Sequence, residues 1–272
     1  MREERDNLEQ MRALYREKNE HLEKFLEPVT PFEFYREIFP VGSFERKGHY
    51  EDEKGNGIAI AVPKAAGIAL EVKDGGKAKH YTITDELSEL SEVFDTDFTI
   101  MSPLSYFGRR RCGKNARYLY ALVFDLDGVG MPQLRDTLHQ MNKDILPQAT
   151  FVVNSGTGLH LYYVLEEPIP MYPHNQKCLK ELKYALTRQI WNRYTSTIKE
   201  PQMQGILQGF RVVGSGSKLG REYPVRAFRL GGPVELARLL DYIPDSNGEQ
   251  QRLEGLMRKS RLSLAEAKEK YP

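Results

Sequence analysis

The stretch Arg117-Tyr-Leu-Tyr-Ala-Leu-Val-Phe-Asp-Leu-Asp-Gly128 decides the fold class of this chain. Its first part, Arg117–Phe124, is almost entirely apolar or aromatic. A run of this length and composition is typical of a strand that is buried on both faces of a central sheet. We therefore predict a central strand here, with the acidic residues that follow it lying where the strand ends.

Short strand-like and helix-like segments surround this central strand. Runs rich in β-branched and aromatic residues predict strands when Gly, Pro or Asp bounds them, whereas apolar residues spaced three and four apart predict helices. The predicted strands are Ile58–Val62, Ile68–Val72, His80–Thr84, Phe98–Met101, Ala149–Val153, Leu159–Leu165, Phe210–Val213 and Pro224–Leu230. The predicted helices cover residues 1–27, a short segment opened by a capping box at Thr30–Glu33, and about 85–93, 131–145, 174–195 and 233–241. This mixture predicts an α+β fold.

The order of these segments predicts four regions. Residues 1–40 form N-terminal helices, 41–97 a small β-rich subdomain packed on the core, 98–245 the core itself and 246–272 a C-terminal helical segment. A second capping box, Ser263-Leu-Ala-Glu266, predicts a helix that opens shortly before Pro272. We therefore expect this chain to be the front part of a longer protein.

The composition is that of an ordinary globular protein. The chain has 272 residues, of which 40% are hydrophobic and 28% charged, enough for a packed core. Lys plus Arg total 39 and Asp plus Glu total 38, which excludes a polycationic protein that coats DNA but leaves room for a local basic face. Two cysteines exclude a disulfide framework. No apolar run approaches the ~20 residues of a membrane span, so we expect a soluble, cytoplasmic protein.

Two carboxylates stand at the end of the central strand. Residues i and i+2 of a strand point to the same face, so Asp125 and Asp127 are expected to project side by side. Two carboxylates this close stay ionised together only if a cation lies between them, and hard oxygen ligands suit Mg²⁺ or Mn²⁺. The alternative is a polar strand end in which Asp serves the turn at Gly128.

The same letters allow a third interpretation. Phe124-Asp-Leu-Asp-Gly-Val129 is similar to the first motif of haloacid-dehalogenase-type phosphatases, in which the first Asp is a nucleophile and the second a general acid. That family places its motif near the start of the fold and closes the site with a later acidic motif. Here the best later match is Asp241-Tyr-Ile-Pro-Asp245, so a phosphohydrolase is the weaker prediction.

A glycine-containing turn precedes the only histidine that we single out. In Asn154-Ser-Gly-Thr-Gly-Leu-His160, Gly156 and Gly158 allow backbone N–H groups to approach an anion, and Ser155 adds a hydroxyl. His160 alternates with leucines and is expected to donate a hydrogen bond to a phosphate oxygen. The alternative is an ordinary hairpin with a buried histidine.

Two basic segments complete the candidate site. The first runs from Tyr106 to Tyr118 without an acidic residue, and its mixture of cations and aromatic rings suits a nucleic-acid backbone with stacked bases. Its basic residues are Arg109, Arg110, Arg111, Lys114 and Arg117. In the second segment Arg211 and Lys218 are expected to face a triphosphate, and Arg221 and Arg226 to bind nucleic acid.

Three motifs in order, hhhDhD (h, apolar), SGxGxHxY and QGFRxxGSxxK, resemble those of the archaeo-eukaryotic primase superfamily, in particular the primase-polymerases of plasmids, phages and other mobile elements. The resemblance covers residues 98–232 or so. It implies an RRM-like primase-polymerase catalytic core with an N-terminal α/β subdomain and peripheral helices. The implied activity is a two-metal transfer of nucleotides to a 3′-hydroxyl on a DNA template.

The resemblance also implies a role for each matching residue. Asp125 and Asp127 would bind Mg²⁺ or Mn²⁺, and His160 with Ser155 would contact a nucleoside triphosphate. Arg211 and Lys218 would line the nucleotide and template site. The implied partners are single-stranded or primed DNA, an NTP or dNTP, and a helicase domain or subunit.

The sequence departs from this family at the third metal ligand. The family has a further carboxylate before the basic motif, and here the only acid in Lys199–Gln208 is Glu200, with Gln204 and Gln208 nearer the expected position. If Glu200 does not reach the metals, the alternative is a non-catalytic module of the same fold that binds nucleotide or DNA. A further alternative is a structural domain without catalytic or binding activity, in which the three motifs occur by chance.

Overall fold

The computed structural model describes residues 2–44, 65–72, 78–107, 110–245 and 248–258. The predicted strand Ile58–Val62, the capping box at Ser263–Glu266 and the predicted nucleic-acid ligand Arg109 lie outside the described residues.

The described elements alternate in the order expected of an α+β chain. The helices are α1 (Arg2–Phe25), α2 (Pro31–Ile38), α3 (Leu90–Phe94), α4 (Met131–Asn142) and α5 (Pro173–Ile190), followed by a 3₁₀ helix at Leu236–Tyr242 and a helical segment at 249–258. The strands are β1 (Glu27–Val29), β2 (Ala65–Val72), β3 (Ala78–Ile83), β4 (Thr99–Met101), β5 (Leu104–Phe107), β6 (Ala116–Leu126), β7 (Phe151–Asn154), β8 (Leu159–Pro170), β9 (Phe210–Arg211), β10 (Gly216–Ser217), β11 (Gly220–Pro224) and β12 (Arg226–Arg229). The predicted α+β class is therefore confirmed.

One large antiparallel sheet organises these elements. Its strands follow the order β1-β12-β7-β8-β6-β5-β2-β4-β9, with β3 paired to β2, while β10 and β11 form a separate hairpin. Strand β6 lies between β5 and β8, as the continuous apolar run predicted. The predicted hairpin of β7 and β8 is also confirmed, with Asn154 opposite Leu159.

The sheet carries an apolar core on each face, because successive side chains of β6 point in opposite directions. Leu122, Phe124 and Leu126 belong to the core that α4 and α5 cover. Ala121 and Val123 belong to the second core, with residues of α2 and β9. Asp125 shares the orientation of Val123, and so the second face is the one on which the site is built.

The two N-terminal helices differ in how they are held. The capping box predicted at Thr30–Glu33 is present, since the Glu33 amide donates to Thr30 Oγ1 at 3.3 Å and the Thr30 amide donates to Glu33 at 2.8 Å. Helix α1 is charged along most of its length, but it buries Tyr15 and Leu22 against the body. It contacts α4, β7 and β12.

Several element bounds differ from the predicted ones for local reasons. The helix predicted at 85–93 is confined to α3, because Leu87 adopts a φ of 62° that breaks a helix. Helix α5 ends at Ile190, whose carbonyl accepts a hydrogen bond from Thr195 Oγ1 at 2.6 Å, rather than near residue 195. In the described part of the chain, no helix combines the length and apolarity that crossing a bilayer requires.

Candidate functional site

Asp125 and Asp127 lie where β6 leaves the sheet. Asp125 is partly exposed, and the following loop is fixed because Ser196 Oγ donates to the Asp127 carbonyl at 2.6 Å. Gly128 has a φ of +68°, and a Cβ there would lie 2.6 Å from Thr197 Oγ1. The turn therefore requires glycine, and it holds the end of the strand in one position.

Antiparallel pairing places His160 directly opposite Asp125. The two residues are register partners in β6 and β8, and His160 Nε2 lies 3.4 Å from Asp125 Oδ1. His160 is only 3% exposed, and its Nδ1 is buried without a hydrogen-bond partner in the described structure. An imidazole in this position restrains the carboxylate beside it and keeps one polar atom unsatisfied.

The electrostatics of His160 show which predicted residues come together. Burial lowers its pKa below the usual value. Asp125 and Asp127 act in the opposite direction, while the positive charges of Arg211 and Lys218 lower the pKa further. All four predicted charged residues are therefore within electrostatic reach of this one imidazole.

Arg211 and Lys218 lie on different elements, a strand and a hairpin turn. Arg211 lies on β9, where it pairs with Ile100, and its guanidinium carbon is 4.3 Å from the centre of the Phe98 ring. Burial lowers the pKa of Arg211, and Asp125 opposes that shift. Lys218 is exposed at the tip of the β10–β11 hairpin. Both positive charges lie close enough to His160 to lower its pKa.

The glycine turn packs against that hairpin. Gly156 has a φ of +109°, and a Cβ there would lie 3.1 Å from Ser217 Oγ. A Cβ on Gly158 would lie 2.5 Å from the Leu126 carbonyl oxygen and 3.4 Å from Asp127 Oδ1. Ser155 is buried in the turn. The two glycines therefore allow three chain segments to approach closely.

The open edge of β6 is covered by a side chain. Strand β5 pairs with the first half of β6 and not with its end. At that end, the Asp125 amide donates to Gln204 Oε1 at 3.2 Å, and Gln204 Nε2 lies 3.4 Å from the Asp125 carbonyl oxygen. The side-chain amide of Gln204 thus takes the hydrogen-bonding positions that a neighbouring strand would occupy. It lies near the position where the resemblance implied a third acid.

Lys183 is a site residue that the sequence analysis missed. It lies on α5, is 2% exposed, and its Nζ donates to the Gly205 carbonyl at 3.3 Å. Burial lowers its pKa to about 7, and the negative charge of Asp125 opposes that shift. A lysine among the leucines of the buried face of a helix was the available signal, because such a position is rarely given to a charge.

Lys18 is the second buried lysine near the site. It belongs to α1, and its Nζ donates to the carbonyls of Gly156 at 3.0 Å and Gly158 at 3.3 Å. Burial lowers its pKa to about 8.

These two lysines predict that the free energy of unfolding rises with pH between pH 7 and 8.5. In an unfolded chain lysine titrates near ~10.4, so over this range the unfolded state binds more protons than the folded state does. Each such proton contributes a slope of about 1.4 kcal/mol per pH unit. With the lowered pKa values of about 7 and about 8, we expect a rise of about 2 kcal/mol, measured by urea denaturation without divalent cations.

The variant Lys183→Met should lose most of this slope, since it removes the group that titrates first. Lys180→Met changes an exposed residue of the same helix and should leave the slope as it is. Equal slopes in the wild type and Lys183→Met would contradict the prediction.

The donor set fits a Mg²⁺ ion that enters with a phosphate ligand. Among the described residues, no three side chains of His, Cys, Asp or Glu come together as a metal cluster. Glu200 is exposed and joins no such group. In proteins, Mg²⁺ is commonly held by one or two carboxylates together with substrate phosphates and water. Asp125 and Asp127 could supply those carboxylates.

The predicted nucleic-acid ligands fall into two groups. Arg110 and Lys114 are exposed, whereas Arg111 buries one guanidinium nitrogen without a partner. The other three are engaged within the chain, since Arg117 lies against the Phe107 and Tyr118 rings, Arg221 pairs with Asp97, and Arg226 pairs with Glu23 at 2.6 Å.

A groove of about 650 Å³ lies between the first basic segment and α5. Its cations are Arg111, Lys177 and Lys180, and Tyr184 provides a ring with Lys180 Nζ 5.5 Å from its centre. Gly205 and Gln208 also line this groove. Gly205 directly follows Gln204, the residue that hydrogen-bonds to the backbone of Asp125. The lysines of α5 were missed because helical sequence with exposed lysines is also typical of any solvated face.

No protein-family model matches the chain, and no curated protein is significantly similar to it in sequence. The solved structures similar to it include the AEP domain of the primase-polymerase of cyanophage S-2L, with 14% identity and a TM-score of 0.48 over 66% of this chain and 89% of that one. A second is the primase RepB′, with 9% identity and a TM-score of 0.41 over 75% and 62%. These two similar structures are thus a primase-polymerase domain and a primase, both at low sequence identity.

A third similar structure is the polymerase domain of Ligase D from Mycobacterium tuberculosis in complex with DNA. It is 19% identical, with a TM-score of 0.30 over 75% of each chain. The motifs had predicted a resemblance to proteins of this kind, and all three similar structures have TM-scores below 0.5.

The residues of the phosphohydrolase alternative are arranged differently. Asp241 lies in the 3₁₀ helix, where it lines a cavity with Asp144, Arg238 and Tyr242. It belongs to no cluster with Asp125 in the described part of the chain. The later acidic motif that this alternative requires is therefore not supplied by Asp241.

Proposed function

We propose that this protein is a nucleotidyltransferase that acts on a DNA template, as a primase, a DNA polymerase or both. The observation that carries the proposal is the register pair of Asp125 and His160. This pair places a buried histidine against one of the two carboxylates, and the charges of Asp127, Arg211 and Lys218 also act on that histidine. This combination suits a nucleoside triphosphate with its divalent cation.

In the proposed reaction, the 3′-hydroxyl of a nucleic-acid chain loses its proton to solvent and its oxygen bonds to the α-phosphorus of the triphosphate. The bond from that phosphorus to the oxygen bridging to the β-phosphate breaks, and pyrophosphate leaves. Asp125 and Asp127 would hold Mg²⁺ or Mn²⁺, which supplies charge stabilisation in such displacements. Arg211 and Lys218 would neutralise the charge of the phosphates. His160 restrains Asp125, and its burial keeps the imidazole neutral at pH 7.

The groove beside α5 supports DNA as the partner. Five cations of the first basic segment and of α5 form no ion pair with a carboxylate of the described residues. They are Arg110, Arg111, Lys114, Lys177 and Lys180. Free cations beside an aromatic ring suit a single strand, whose phosphates bind the charges while its bases stack. The groove also adjoins the segment that contacts Asp125.

Charge reversal in the groove tests this part of the proposal. The double variant Lys177→Glu/Lys180→Glu should bind single-stranded DNA at least about 10-fold more weakly at low salt. The slope of log K against log salt should become shallower by about 1.4, because ~0.7 counterion is released per phosphate contact of a single strand. Fluorescence anisotropy of a labelled oligonucleotide over a salt series measures both quantities.

The matched control is Lys24→Glu/Lys143→Glu, which changes the net charge equally at exposed positions on α1 and after α4. It should retain most of the wild-type affinity. An equal loss in both double variants would assign the effect to net charge rather than to the groove.

A second function is favoured by one observation. Lys183 and Arg211 already act on Asp125 electrostatically, and the expected third acid is replaced by Gln204. If cations of the chain already compensate the charge of Asp125, the site has less need of a metal ion. Such a site suits a non-catalytic module that binds nucleotide or DNA for another domain.

The deciding experiment incubates the protein with single-stranded DNA, labelled nucleotides and Mg²⁺ or Mn²⁺, with and without a primer. Template-dependent products support the transferase, and unprimed products identify a primase. If wild-type protein binds triphosphate and DNA but forms no product, the binding module replaces the proposal.

A further inference from the structure

The first helix of the chain reaches into the candidate site. Lys18 is 0% exposed, although lysine is almost never fully buried unless it is paired. Its Nζ donates to the carbonyls of Gly156 and Gly158, the two glycines of the turn between β7 and β8. No carboxylate of the described residues pairs with it, so the ammonium is a positive charge that only backbone dipoles compensate.

The orientation of the turn follows from these two bonds. Lys18 holds both carbonyls on the side of α1, so they do not face an anion at Asp127. The amides of Ser155, Thr157 and Gly158 form no hydrogen bond with another group of the described residues. Amides without acceptors next to glycines, with a buried cation behind them, are typical of an anion-binding turn.

Neighbouring residues of α1 fix the same turn. Asn154 Nδ2 donates to Asn19 Oδ1 at 2.9 Å and to the Tyr15 carbonyl at 3.2 Å. Asn154 Oδ1 in turn accepts from the Gly156 amide at 3.3 Å. The turn is therefore held by α1 through groups one helical turn apart.

The same helix also holds the hairpin that carries Lys218. Arg12 donates to the Leu219 carbonyl at 3.2 and 3.3 Å, and the Tyr15 hydroxyl donates to the Pro224 carbonyl. Both segments that the motifs assign to the triphosphate are thus fixed to one helix.

We propose that Lys18 is a positioning residue for triphosphate binding, which orients the glycine turn and stabilises the bound anion with a buried positive charge. The inference rests on the proposed function, because it takes the triphosphate as the ligand of this site. It assigns α1 a role in nucleotide binding.

The test compares three substitutions of Lys18. Lys18→Met removes the charge and the donor, Lys18→Gln keeps a donor without the charge, and Lys18→Arg keeps both. The affinity for a fluorescent nucleoside triphosphate with Mg²⁺ and the affinity for single-stranded DNA are measured separately by anisotropy. Lys24→Met, at an exposed position of the same helix, is the control.

We expect Lys18→Met to weaken triphosphate binding by about 10- to 100-fold, as the loss of a charge-assisted contact implies. Lys18→Gln should be intermediate, Lys18→Arg nearest to the wild type, and the control unchanged. DNA affinity should change less than about twofold in all of them. Unchanged triphosphate binding in Lys18→Met and Lys18→Gln, or equal losses for DNA and triphosphate, would overturn the inference.

Hydrogen exchange of the wild type gives a second reading that does not depend on a folded variant. Triphosphate with Mg²⁺ should slow exchange of the amides in residues 155–158 of the wild-type protein. No protection despite measured binding would overturn the inference while leaving the proposed function in place. A wild type that binds no triphosphate would overturn both.

Discussion

The double variant Asp125→Asn/Asp127→Asn is expected to lose template-directed nucleotide incorporation by about 1,000-fold or more. Asparagine has nearly the same shape as aspartate, and the hydrogen bonds of Gln204 are made to the backbone of Asp125, so the fold should be retained. The loss falls on the charge that holds Mg²⁺. Metal ions supply several kcal/mol of stabilisation in such displacements, and about 1.4 kcal/mol corresponds to a tenfold rate.

Single-nucleotide incorporation on a primed template measures this effect, with rates compared under saturating nucleotide. Asp136→Asn, on α4, is the control that removes one carboxylate elsewhere and should keep the wild-type rate. Incorporation within about tenfold of the wild type in the double variant would refute the assignment of these two carboxylates.

Gly158→Ala is expected to damage both stability and activity strongly, although it adds only one methyl group. A Cβ there would lie 2.5 Å from the Leu126 carbonyl oxygen, which is backbone and cannot rotate away. The strain forces β6 and the turn apart, and Asp127 moves with them. Overpacking of this kind costs about 1–3 kcal/mol of stability, and we expect at least a tenfold loss of incorporation.

Chemical denaturation and the incorporation assay together test this prediction. Gly232→Ala is a suitable comparison, because a Cβ at Gly232 has no heavy atom within 4 Å. If Gly158→Ala were as stable and as active as Gly232→Ala, the close approach of the turn to β6 would have no functional weight.

The central elements of the fold could be predicted because their signals are local. The apolar run of β6 and the alternation around His160 are readable from neighbouring residues, and both strands lie where the sequence placed them. The strands β1 and β10 have only three and two residues, and neither was predicted. Such short strands form because a partner strand is present, so the residues around them in the sequence give little signal that predicts them.

The candidate site divides in the same way. Asp125, Asp127 and His160 were found because a strand end and a glycine turn make their positions predictable. Lys18, Lys183 and Gln204 were not found as contributors, since each acts by reaching a distant segment. Their sequence signal is a polar residue at a position where the spacing of apolar residues predicts a buried side chain. The same sequence is also compatible with a face that is exposed to solvent.

The hydrogen bonds that α1 makes to the turn between β7 and β8 and to the β10–β11 hairpin also bear on how this chain folds. Lys18 and Gly156 are separated by 138 positions, and Tyr15 and Pro224 by 209. Contacts between such distant segments require closure of long loops, which delays them relative to local helices and hairpins. We therefore expect these two segments to acquire their final shape at a late stage of folding, when the first helix docks against strands formed from the second half of the chain.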